Sequence, residues 1–178
     1  GLTLGDFEAI TPCDVNGDGL LDLLFVGYAH AESKRRPPWD ANTGMKNLLF
    51  MNQGNLRFRE ESVPRGLREN HFSFVAECRD FDDDGDPDLF VGNDYGHDDY
   101  YENAGDGAFR LDPTHPFHGP SFSMGISISD YDNTGHYAVS ISNMYSHAGQ
   151  RIIPLAEGLQ AGVRRSLQQM VSGSSLFE

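Results

Sequence analysis

Apolar and polar positions alternate in short stretches along this chain. Phe72-Ser-Phe-Val-Ala76 and Phe122-Ser-Met-Gly-Ile-Ser-Ile128 have the two-residue period of strands with one buried face. Short apolar runs follow at Leu23-Leu-Phe-Val26, Leu89-Phe-Val91 and Val139-Ser-Ile141. Ahead of each run stands an acidic, glycine-containing turn, so each unit reads strand, turn, strand. The turns are Asp14-Val-Asn-Gly-Asp-Gly-Leu-Leu-Asp22, Asp80-Phe-Asp-Asp-Asp-Gly-Asp-Pro-Asp88 and Asp130-Tyr-Asp-Asn-Thr-Gly-His-Tyr-Ala138. They start at residues 14, 80 and 130, spacings of 66 and 50. Downstream, Asn47-Leu-Leu-Phe-Met-Asn-Gln-Gly-Asn-Leu-Arg-Phe58 matches Asp99-Tyr-Tyr-Glu-Asn-Ala-Gly-Asp-Gly-Ala-Phe109, each a strand, a Gly-centred turn and a strand.

The full unit thus has four strands. Such a sheet cannot bury both faces alone, and stacking of neighbours does so, which predicts β-propeller blades. The expected fold is all-β, with two and a half to three antiparallel four-stranded blades and one helical insertion near the C-terminus. Blade 1 covers 1–65 with a polar, Pro-broken loop at 28–46. Blade 2 covers 66–118. A partial blade 3 covers 119–178, with the helical insertion at 144–172. In that insertion Leu155, Leu159, Val163, Leu167 and Met170 recur at helical spacing behind Pro154, predicting one amphipathic helix.

Composition sharpens the picture. The chain has 178 residues, 20 glycines, 11% aromatics and a formal net charge of −14. That charge repels phosphate backbones and excludes nucleic acid as an expected partner, and it attracts cations. No run of eighteen apolar residues occurs, so no membrane span is predicted.

The turns have the chemistry of cation cages. Oxygen-bearing side chains occupy positions one, three and five of all three, with Gly19, Gly85 and Gly135 at position six and an Asp at position nine in the first two. Alternate side chains of a tight turn meet at one centre, and hard oxygen donors in that number suit Ca²⁺. This is not an EF-hand: position twelve holds Phe25, Val91 or Ile141, and strands flank the turns. The candidate ligands are Asp14, Asn16, Asp18 and Asp22 in the first turn, and Asp80, Asp82, Asp84 and Asp88 in the second. The third offers Asp130, Asp132 and the Thr134 hydroxyl, with Ala138 where a ligand is expected. Main-chain carbonyls at Leu20, Asp86 and His136 complete the sets. Ligand charge sets affinity, so the second site is expected to be tightest and the third weak. Without an ion the clustered carboxylates repel one another. Three calcium ions would bring the charge from −14 to about −8.

These turns, with their apolar strands and the Asn-x-Gly-x-x-x-Phe hairpin, resemble FG-GAP/VCBS repeats, the calcium-binding blades of integrin α-subunit propellers and related extracellular proteins. Asp130-Tyr-Asp-Asn, Ser142-Asn-Met-Tyr-Ser-His-Ala-Gly-Gln-Arg-Ile152 and Gly173-Ser-Ser-Leu-Phe177 look like cartilage acidic protein and bacterial UnbV-type (ASPIC) proteins. The resemblance implies a seven-bladed, secreted or surface-exposed propeller, with calcium between the first two strands of each blade. Its implied roles are adhesion, structural assembly and binding of protein or glycan ligands. Three blades cannot close such a ring. The chain is therefore expected to be a segment of a longer polypeptide, or else incomplete blades pair between copies through open strand edges.

Other chemistry is sparse. No nucleophile elbow, P-loop, His-Glu-x-x-His or Cys-x-x-Cys occurs. The cluster Asp94, His97, Asp98 and Asp99 reads as an acidic loop on the propeller rim, and a transition-metal site is the alternative. Cys13 and Cys78 precede equivalent turns on neighbouring strands, either bridged or as two buried thiols. Lys34-Arg-Arg36 beside Trp39 is the one basic patch. The expected function is a non-enzymatic, calcium-binding extracellular module. A self-assembling polymer subunit and a hydrolase carried on propeller loops are the alternatives.

Overall fold

The computed structural model describes residues 6–29 and 42–177. The basic patch Lys34–Arg36, Trp39 and most of the loop insertion lie outside the described residues. The described chain is mostly β, in three antiparallel sheets. The first contains β1 (Asp6–Cys13), β2 (Asp22–Ala29), β3 (Leu48–Asn52) and β4 (Phe58–Glu60) in that spatial order. The second repeats it with β5 (Ser73–Arg79), β6 (Asp88–Asn93), β7 (Asp99–Asn103) and β8 (Phe109–Leu111). The third has β9 (Ser123–Ser129), β10 (Ala138–Asn143) and β11 (Ser175–Phe177), ordered β11-β10-β9. Each acidic turn joins the first two strands of its sheet. Strand β1 packs beside β5, and β5 beside β9, so the first strands of the sheets stand together as in partial propeller blades.

Pleating explains the stacking. In β6, Leu89 and Val91 face the first sheet, where they join Leu24, Val26, Leu49 and Met51 in one core. Phe90, on the other face, meets Val139 and Ile141 of the third sheet, with Phe81 and Phe117 at the margin. Both faces of β6 are thereby covered, and all six of its residues are buried. A second-sheet strand needs apolar residues at consecutive positions, which is why Leu89-Phe-Val91 reads as a run rather than an alternation. Strand β10 is covered on one face only: Val139 and Ile141 are buried, while Ser140 and Ser142 are exposed. The opposite end of the stack differs. There Ile10, Leu23 and Phe25 stand on the outer face of the first sheet, with Phe7 and Phe50 edge-on to Phe25.

One expectation changes and one open alternative is resolved. The single helix is two: α1 (His147–Ile152), continued by one 3-10 turn at Ile153–Leu155, and α2 (Ala161–Met170). Pro154 supplies no amide hydrogen, and Gly158 has φ +80°, so the chain leaves the helix before α2 begins. Leu155 consequently falls off the apolar face and is exposed. The two cysteines are joined: Cys13 on β1 and Cys78 on β5 form a disulfide with Cα atoms 6.2 Å apart.

Candidate metal turns and the polar seam

The three turns share one hydrogen-bond scheme. The main-chain N–H at position five donates to one carboxylate oxygen of position one: Asp18 to Asp14 at 3.1 Å, Asp84 to Asp80 at 3.2 Å, Thr134 to Asp130 at 2.9 Å. The glycine N–H at position six donates to the other oxygen, at 2.8, 3.0 and 3.0 Å. Position five also donates to the side-chain oxygen of position three, Asn16, Asp82 or Asp132. The first Asp is thus held in one rotamer with its oxygens turned toward the loop's centre. Gly85 has φ +97° and Gly19 and Gly135 behave alike, as the sequence requires. Position four is left-handed too, at Gly17, Asp83 and Asn133, with φ of 68°, 62° and 59°. Glycine, Asp and Asn are the residues that tolerate this region, so that signal was present in the sequence.

In the second turn Asp80, Asp82 and Asp84 bring one oxygen each within 4.8 Å of one another, the one such group of three among the described residues. Burial pushes the Asp82 carboxyl above its ordinary value, and the charges of Asp84 and Asp80 push it further. In the third turn the Thr134 hydroxyl and N–H hold Asp132 below the usual carboxylate range. An all-oxygen, carboxylate-rich donor set of this kind fits a hard divalent cation such as Ca²⁺, which would supply the positive charge the second turn lacks.

Position nine is built differently. Asp22 and Asp88 are fully buried, and burial raises both carboxyls above their ordinary value. Asp88 accepts from Phe81 N–H at 3.3 Å, Asn103 N–H at 2.9 Å and the Tyr100 hydroxyl at 2.6 Å. Asp22 accepts from Val15 N–H at 3.2 Å and Asn52 N–H at 2.7 Å. In both units this Asp ties the turn to the Asn of the Asn-x-Gly hairpin. That Asn does further bonding. The Asn52 amide donates to Leu21 O, and the Asn103 amide donates to Pro87 O and, across to the first sheet, to Val15 O at 2.8 Å. Two motifs read separately from the sequence are therefore one clamp. Ala138 at position nine leaves the third unit without it.

The cluster Asp94, His97, Asp98 and Asp99 is not an acidic rim loop. Asp94, Asp98 and Asp99 are buried, at the ends of the sheets opposite the acidic turns. Asp98 accepts from Asn93 N–H at 2.7 Å, the Ser121 hydroxyl at 2.7 Å and the Ser123 hydroxyl at 2.9 Å. Burial still raises its carboxyl to about 7. Asp99 pairs with His71 Nδ1 at 2.7 Å and accepts from the Asn93 amide at 3.0 Å. Asn47, Ser73 and Asn93 continue the chain of bonds toward the first sheet, and Ser123 and Asn143 toward the third. A polar seam thus crosses all three sheets. Sequence reading missed it because its members come from six separate segments; the signal available was a set of Ser, Asn and Asp at the outer ends of the predicted strands.

Among the described residues no helix is long and apolar enough to cross a membrane. A search of curated proteins finds no match to the chain. The model of the FG-GAP-like repeat matches residues 80–137, from the second acidic turn through the third, and this supports the FG-GAP repeat family for that stretch.

Proposed function

We propose that this chain forms blades of an extracellular β-propeller in which calcium braces the turn between the first two strands, and that the braced blades present a surface for protein or glycan partners. The FG-GAP-like match supports a propeller-type protein-interaction module. The observation that carries the calcium reading is the convergence of Asp80, Asp82 and Asp84 inside a turn whose scheme recurs in all three sheets. Asp14, Asn16 and Asp18 would hold the second ion, Asp130, Asp132 and Thr134 a weaker third. The carbonyls of Leu20, Asp86 and His136 and the spare lone pairs of Asp22 and Asp88 would complete the shells. Disulfides persist in oxidising compartments, so the Cys13–Cys78 bridge favours a secreted or surface location. The finer kinship with ASPIC-type repeats rests on the third unit's Asp130-Tyr-Asp-Asn and the segment after β10.

Calorimetric titration with calcium tests the reading. The unaltered chain is expected to bind at least two ions, and Asp80→Asn with Asp84→Asn should weaken the tighter event by about tenfold or more. A titration showing no heat of binding, or one indifferent to the double substitution, would overturn it.

A further inference from the structure

The end of the sheets remote from the acidic turns carries a second arrangement of metal-ligating groups. His71 precedes β5, His97 lies between β6 and β7, and His118 precedes β9, yet all three line one cavity of about 340 Å³. Helix α2 covers it with Val163, Leu167 and the buried Met170. Strand β6 alone separates this end from the Asp80 turn by about 20 Å, so the two arrangements are independent.

Three features of these imidazoles bear on what they could hold. The first is orientation. Asp99 Oδ2 lies 2.7 Å from His71 Nδ1, placed to accept a hydrogen bond from it, and also accepts from the Asn93 amide at 3.0 Å. With the neutral ring's proton on Nδ1, Nε2 carries the lone pair, the carboxylate–histidine pairing that orients metal-bound imidazoles. The second is an orphan donor or acceptor. His118 Nδ1 is buried and makes no hydrogen bond among the described residues. Buried polar atoms are seldom left so unless something else meets them. The third is proximity. The His97 and His118 rings stack with centroids 4.7 Å apart and planes 13° from parallel.

We propose that His71, His97 and His118 form a site for a borderline divalent transition metal of the zinc class, with Asp99 as the positioning residue behind His71. Imidazole nitrogen selects such ions, whereas calcium takes oxygen, so this site and the acidic turns discriminate between the two cations by ligand type. Among the described residues the three rings do not bring their nitrogens within 4.8 Å of one another. The proposed ion would unstack His97 from His118 and draw both toward His71. Three imidazoles leave the fourth position of a tetrahedral ion to water or to a side chain of a binding partner.

The test is a zinc titration of the chain held in millimolar calcium, followed by calorimetry and by the ring-proton resonances of the seven histidines. One equivalent should bind, and the resonances of His71, His97 and His118 should shift together while those of His136 and His147 stay in place. Cobalt substituted for zinc should give the visible absorption of a tetrahedral nitrogen-ligated ion. His118→Ala should weaken binding by at least tenfold, and Asp99→Asn by about 10- to 100-fold, with calcium binding unchanged in both. His71→Gln serves as the second variant if His118→Ala fails to fold. Absence of zinc binding would overturn the proposal, as would zinc that shifts His136 and His147 instead, or an affinity indifferent to both His118→Ala and His71→Gln.

Discussion

Single carboxylates in this chain do two jobs that composition does not separate. Asp80 and Asp84 are partly or fully exposed and bonded to their own turn, so their removal should leave the ion-free fold nearly as stable as before. Asp88 is buried and answers three donors on two segments. Asp88→Ala strands Phe81 N–H, Asn103 N–H and the Tyr100 hydroxyl, and should cost about 3 kcal/mol in urea unfolding carried out in chelator. Asp98 gives a pH signature. Its folded value of about 7 lies above the ordinary 3.8. A raised carboxyl favours the folded state while both forms are protonated, and that contribution is lost as pH rises from about 4 through about 7. The full span is on the order of 4 kcal/mol. Asp98→Asn should therefore flatten the decline in stability between pH 5 and pH 8 relative to the unaltered chain. The difference between the two isolates Asp98 from His71, whose raised value produces a loss that begins only as pH rises above the ordinary 6.5, and from His97 and His115, whose lowered values act in the opposite sense.

At the level of elements, the strands and turns were legible because their signals are local. Leu89-Phe-Val91 is continuous in a strand covered on both faces and Val139-Ser-Ile141 alternates in one covered on a single face, but Leu23-Leu-Phe-Val26 is continuous too while Leu23 and Phe25 are only half-buried, so the run alone does not say which strand is covered on both faces. The helical segment misled because spacing counts Leu155 and Val163 alike, while Leu155 ends the 3-10 turn that holds Pro154 and Gly158 divides it from Val163. The disulfide was open in the sequence, since two cysteines near equivalent turns meet only if β1 and β5 are neighbours. They are, and the bridge closes a loop of 65 residues across the innermost strands. Chain-entropy reasoning assigns such a closure about 4 kcal/mol. Reduction, or Cys13→Ala with Cys78→Ala, should accordingly lower the melting temperature by about 10 °C.

On the scale of the whole molecule, the sheets form a stack with a different chemistry at each end of its strands. One end gathers the acidic turns, and the other gathers a buried polar seam under α2. Repetition made the first end readable: three copies in register carry more information than any one of them. At the second end only the cluster Asp94, His97, Asp98 and Asp99 stood out in the sequence; its burial and its partners were not legible because Asp99 bonds His71 and Asp98 bonds Ser121, contacts between segments with no shared motif. The outer faces of the stack differ as well. Ile10, Leu23 and Phe25 stand at one side, and at the other Ser140 and Ser142 stand with the exposed Leu176 paired to Ser140, so the two outer faces differ in polarity.

The account turns on whether a divalent ion relieves carboxylate repulsion in the acidic turns. Thermal melting of the same preparation in excess calcium and in excess chelator measures this most directly. Two sites saturated a hundredfold above their dissociation constants would add about 5 kcal/mol, a rise of about 10–20 °C in melting temperature. Coincident melting curves in calcium and in chelator would contradict it.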